Sequence, residues 1–158
     1  MCSSDLVSIA DLTRRSDLEL VELFWHSNDW FVSHARRLLQ ERAAEQGFQP
    51  GPVTAVLSRV LDDPQATVVH RLRALWGLHG IGQASGELLR ELLKSGEPHL
   101  RAWGVRLLVE AAELDEPASV ALAELAVDEP SAVVRLALAS ALQRMPLARR
   151  WPLAERLV

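Results

Sequence analysis

Apolar residues along the chain fall in runs of about 10 to 18 residues with helical spacing, separated by regular breakers. Leu18, Val21, Leu23 and Phe24 open the first run. Leu88, Leu89, Leu92 and Leu93 recur at i, i+1, i+4 and i+5, which places them on one helix face. The breakers are Gly47 to Pro52, Asp62-Asp63-Pro64, Gly80 to Gly86, Ser95-Gly96-Glu97-Pro98, Asp115-Glu116-Pro117, Asp128-Glu129-Pro130 and Pro146. Pro64, Pro98, Pro117 and Pro130 each fall near a helix start, where a missing N–H costs nothing. The pattern predicts nine helices, over about 17–26, 29–46, 51–61, 66–80, 85–95, 98–113, 117–127, 131–144 and from 147 onward. No segment alternates with period two for long enough to make a strand, so the expected fold class is all-α.

The longer helices repeat one another. Phe31 to Leu39, His70 to Leu78, Leu100 to Leu108 and Val134 to Leu142 can be laid over each other. Anchored on the final Leu, the copies lie 39, 30 and 34 residues apart. Arg71, Arg101 and Arg135 share the second position, which Val32 fills in the first copy. A small or apolar residue holds the fifth. The recurring arginine is expected to reach the turn acids of its own or a neighbouring repeat, with Asp128 the acid of the best-formed turn.

Val134-Arg135 following Asp128-Glu129-Pro130, with Ala and Leu beyond, resembles the second helix of a HEAT repeat. Asp62-Asp63-Pro64 before Arg71 is the next best match, and the resemblance spans about residues 17–145. It implies a right-handed α-solenoid of about four hairpins, 17–46, 51–80, 85–113 and 117–144, plus a partial C-terminal helix, 147–158. One hairpin cannot bury both of its apolar faces, so stacking on neighbours is what makes such a sequence stable. Residues 1–16 precede the repeats as a disordered or partly helical segment.

A narrower resemblance lies in the wording of the first hairpins. The stretch Glu22 to Ala43, with Phe24-Trp25-His26-Ser27-Asn28-Asp29-Trp30 and Ala35-Arg36-Arg37-Leu38-Leu39, is one part of it. Arg71-Leu72-Arg73-Ala74-Leu75-Trp76-Gly77-Leu78-His79-Gly80 and His99-Leu100-Arg101-Ala102-Trp103 are the others. These resemble the HEAT region of large planctomycete and verrucomicrobial membrane-bound dehydrogenase-like, haem-binding proteins. In that family a glucose/sorbosone-dehydrogenase-like β-propeller precedes the repeats and a c-type cytochrome domain follows. The resemblance implies a fragment of such a parent, located in the cell envelope or periplasm. Haem c would belong to the parent, because Cys-x-x-Cys-His cannot be built from the single Cys2. The abrupt end at Leu157-Val158, in the middle of a helical pattern, also reads as a piece of a longer chain.

Composition supports the helical reading and narrows the partners. The chain has 28 Leu and 21 Ala against no Tyr and two Ile, a poor supply for sheets. Its formal net charge of -4 argues against nucleic acid, which favours a basic surface. No stretch approaches the roughly 18 uninterrupted apolar residues of a membrane span. Met1 to Leu6 lacks the basic and apolar regions of a secretory signal. The basic residues are 16 Arg and one Lys; codon bias accounts for that skew, or a need for forked guanidinium contacts does.

Candidate chemistry is sparse. His26, His34, His70, His79 and His99 are not spaced as His-x-x-x-His, so no metal site is expected. Gly77, Gly80, Gly82 and Gly86 close a helix and open a loop, without a preceding strand to make a phosphate cradle. No Ser/His/Asp grouping has a context that activates a nucleophile, and no cofactor is expected in this segment. Trp25, Trp30, Trp76 and Trp103 are expected to fill hairpin gaps, the first two clamping a turn capped by Asn28 or Asp29. The expected function is a non-catalytic scaffold that binds protein or neighbouring domains, with Arg37, Arg73, Arg101 and Arg106 on its concave face. The competing expectation is a HEAT-like alkylpurine DNA glycosylase, with Trp25, Asp29, Trp30 and Arg73 in its groove, or more remotely a phycobilin-lyase-like protein.

Overall fold

The computed structural model describes residues 12–110 and 114–157. Residues 1–11, with Cys2 and most of the expected N-terminal segment, and residues 111–113 and 158 lie outside the described residues. The described residues are helical, with no strand among them. The nine α-helices among the described residues are α1 (Asp17–Glu22), α2 (Asp29–Ala43), α3 (Pro50–Asp62), α4 (Val68–Gly80), α5 (Gly86–Leu92), α6 (Pro98–Leu108), α7 (Glu116–Ala126), α8 (Ala132–Ala141) and α9 (Leu147–Leu157). The first expected helix, 17–26, ends early: α1 tightens into a 3-10 turn, Leu23–Trp25, before His26 goes extended. The chain groups into two compact units, residues 1–84 and 85–158.

In the first unit the helix ends follow local chemistry. Ser16 and Glu19 form a capping box at α1: the Ser16 hydroxyl accepts from the Glu19 N–H, and the Glu19 carboxylate accepts from the Ser16 N–H at 2.8 Å. The Ser16 side-chain hydrogen bond, then its backbone one, hold the Glu19 carboxyl below its ordinary range. Asn28, rather than Asp29, caps α2 by accepting from the Trp30 N–H at 2.9 Å. Thr67 caps α4. That helix ends in a Schellman motif: the Gln83 N–H donates to the Leu78 carbonyl at 2.8 Å, around Gly82 at φ +72°. Helices α1 and α2 pair, as do α3 and α4; α1 also packs on α3, and α2 on α4. Leu20, Phe24, Leu39, Leu57, Leu61, Leu75 and Leu78 are fully buried between them. Gly77 permits that approach, since a Cβ there would lie 2.5 Å from Phe24 Cε2 and 2.9 Å from Leu57 Cδ1.

The second unit repeats the scheme. Ser85, Glu97 and Asp115 cap α5, α6 and α7, and Pro98 and Pro117 sit in the first turns of α6 and α7. Helix α5 pairs with α6 and packs on α7; α6 packs on α8; α9 packs on α7 and α8. Leu100, Leu122, Leu138, Met145 and Leu153 are its fully buried large side chains. Gly104 sets the contact of α6 on α5, its notional Cβ 3.1 Å from Leu93 Cδ2 and 3.2 Å from the Leu89 carbonyl. Within each unit, therefore, the two helices of a hairpin pack on each other and each packs on the helix next but one.

Candidate functional site

Arginine organises both units, chiefly by donating to main-chain carbonyls. A helix leaves its last four carbonyls without intrahelical donors, and a guanidinium near a turn can supply several N–H groups at once. Arg71 Nε donates to the Leu61 carbonyl at 2.8 Å, near the end of the preceding helix. Arg73 donates to the carbonyls of Phe24 and His26 at 3.0 and 3.1 Å and pairs with Asp29 at 2.5 Å. Arg42 pairs with Asp17 and donates to the Thr13 carbonyl. Arg149 and Arg150 donate to the carbonyls of Leu114 and Met145.

Arg101 makes the fullest clamp. Nε and Nη2 hold both oxygens of Glu129 at 2.8 and 2.6 Å, and Nη1 donates to the Ser95 carbonyl at 2.7 Å. The side chains are 12% and 2% exposed. Glu129 is the one buried charged residue among the described residues, and its Oε1 also accepts from the Ser131 N–H at 2.9 Å ahead of α8. Burial pushes its carboxyl up. The Arg101 hydrogen bonds, the Ser131 N–H and the Arg101 charge outweigh that and hold it below the ordinary range.

The residues expected on one concave face thus separate. Arg73 and Arg101 are mostly buried and committed to their own chain, acting as turn clamps. Arg37 is exposed on α2 and pairs with Glu41 one turn on, at 3.0 Å. Arg106 lies over the Trp103 ring, 5.1 Å from its centroid. Of the repeat arginines, Arg71 and Arg101 tie their helix to the end of the one before, whereas Arg135 reaches forward to the Leu157 carbonyl at 3.0 Å. The acid engaged by Arg101 is Glu129; Asp128 is exposed beside it. Glu129 was legible only as part of the Asp-Glu-Pro turn, because which of two adjacent acids turns inward depends on what faces it.

The tryptophans also part company. Trp25 is half-buried, edge-on to Phe24 and His70. Trp76 lies beneath Arg36, 5.6 Å from the guanidinium carbon. Trp30 does not fill a gap: it is 42% exposed and stacks on His34 at 3.9 Å, a ring whose Nδ1 donates to the Trp30 carbonyl. His26 instead accepts the Asn28 N–H through Nδ1 and packs on Phe31, helping to shape the turn before α2.

A cleft of about 310 Å³ opens between the C-terminal halves of α6 and α8. Val109, Ala137 and Ala141 give it an apolar floor, and Trp103, Arg106 and Arg144 its polar and aromatic walls. Among the described residues no group of three or more His, Cys, Asp or Glu side chains could hold a metal ion, and no helix is long and apolar enough to cross a membrane. Comparison of the chain with protein-family models, with curated proteins and with solved structures returns no match.

Proposed function

We propose that the chain is a non-catalytic scaffold, a right-handed α-solenoid segment of HEAT-like hairpins that engages protein partners or neighbouring domains. The packing within each unit carries this reading. The two helices of a hairpin pack on each other and each packs on the matching helix of the next hairpin, as stacked hairpins require. The commitment of Arg73 and Arg101 to turns supports it, since these side chains fasten hairpins together. The parent we infer is an envelope-bound dehydrogenase-like cytochrome c protein, on the strength of the Glu22 to Ala43, Arg71 to Gly80 and His99 to Trp103 wording. Haem c and any redox chemistry would reside in that parent.

Cross-linking in the source cells, followed by mass spectrometry of peptides joined to this chain, tests the proposal. Links to a propeller or cytochrome c domain, or to a discrete protein partner, are expected. Absence of protein links, or release of bases from alkylated DNA by the purified chain, would overturn it. The glycosylase reading has less support. Arg73 is held by two carbonyls and Asp29, and the chain is acidic.

A further inference from the structure

We propose that the cleft between α6 and α8 docks an acidic segment of a partner protein, seating a carboxylate beside an aliphatic or aromatic side chain. The inference rests on the scaffold reading and specifies the partner's chemistry.

Charge complementarity picks the occupant. Many arginines of this chain meet a carboxylate or a carbonyl, as Arg37, Arg42, Arg71, Arg73, Arg90, Arg101, Arg135, Arg149 and Arg150 do. The two arginines of the cleft differ. Among the described residues neither has a carboxylate partner: Arg106 has the Trp103 ring beneath it, and Arg144 is exposed. Among the described residues Glu110 is the single acid bordering the cleft, and it already has an interaction of its own. A local positive excess therefore stands on a chain of net charge -4.

Position leaves both cations available. Arg106 lies in the last turn of α6, and Arg144 just beyond the end of α8. The negative ends of both helices favour a cation there without occupying its forked N–H groups. The Trp103 ring holds the Arg106 guanidinium in place, which lowers the ordering cost when a carboxylate binds it in a fork. Val109, Ala137 and Ala141 are small or short, so the floor between the arginines accepts one apolar side chain. A peptide pairing Asp or Glu with Leu, Val or Phe matches both features, as helix-groove recognition commonly does.

Fluorescence anisotropy tests this with two pools of short labelled peptides. One carries Asp and Glu interleaved with Leu, Val and Phe; the other carries Asn and Gln at the acidic positions. The full chain should bind the acidic pool about tenfold more tightly than the amide pool. Arg106→Glu with Arg144→Glu should abolish that preference. Arg59→Glu on α3, a single charge reversal at a residue that does not line the cleft, should leave it in place. Circular dichroism melts of each variant confirm folding, and Arg144→Gln serves if the double variant does not fold. Equal binding of the two pools, binding by neither, or equal loss with Arg59→Glu would overturn the cleft proposal. Persisting cross-links to a protein partner would then leave the scaffold reading standing, which separates the two failures.

Discussion

Removing Arg101 should damage the second unit more than any other single arginine loss. In Arg101→Ala, Glu129 stays buried against the turn before α8 with both oxygens stripped of their charged partner and only the Ser131 N–H left. Its cheapest escape at pH 7 is to take up a proton. From the ordinary carboxyl value of 4.5 that costs about 3.4 kcal/mol, at 1.36 kcal/mol for each pH unit. The Ser95 carbonyl loses its donor as well. A loss of about 3 to 4 kcal/mol follows, within the range of broken buried ion pairs. Glu129→Ala should cost less, about 2 kcal/mol. Arg101 is the more exposed partner, keeps the Ser95 carbonyl and can swing its head to water. The double variant strands no charge and should cost well under the sum of the two. Urea unfolding followed by circular dichroism gives the cycle, and amide exchange at Ser131 reads the site itself. Additive single losses, a cost below about 1 kcal/mol for Arg101→Ala, or a larger cost for Glu129→Ala would refute the clamp argument.

Acid should release the same clamp. The folded Glu129 carboxyl lies below its ordinary value, so its stabilisation is present above about pH 4.5 and is lost as pH falls through the lower folded value. An acid titration of the melting temperature should show a drop that Glu129→Gln removes. Gly77→Ala should destabilise the first unit by about 1 to 2 kcal/mol despite the gain in helix propensity, because the new methyl meets the buried Phe24 ring. Gly104→Ala should be milder, its contacts being longer, and reversal of that order in urea midpoints would contradict the packing account. Gly82→Ala forces a side chain into a left-handed backbone and should cost about 1 kcal/mol, read from the same midpoints.

Helical periodicity and breakers located the helices well, because both are local. Asn28 before Trp30, Pro98 and Pro117 in first turns, and Gly82 after α4 act through neighbours a few residues away. The first helix was misjudged at its end, since nothing local in Leu23-Phe24-Trp25 announces a tighter turn. The site was less legible. Arg71 and Arg101 share a repeat position and a similar bond to the preceding helix, yet Arg135, in the same position, bonds forward to Leu157. Trp25 and Trp30 flank one turn, and one is half-buried while the other lies largely in solvent.

By itself the sequence determined an all-helical chain, the order and approximate bounds of its helices, the excess of arginine and the absence of a thiolate haem motif. Tertiary structure alone decided which arginines are clamps and which are open. Arg73 meets Asp29 across 44 residues of chain, and Arg101 meets Glu129 across 28. A guanidinium is buried only where packing brings an acceptor to it from such a distance, and no local pattern encodes that partner. Arg106 and Arg144 look the same in the sequence and stay open in the fold, because among the described residues the helices beside them bring small apolar side chains and one acid, Glu110, that is engaged elsewhere.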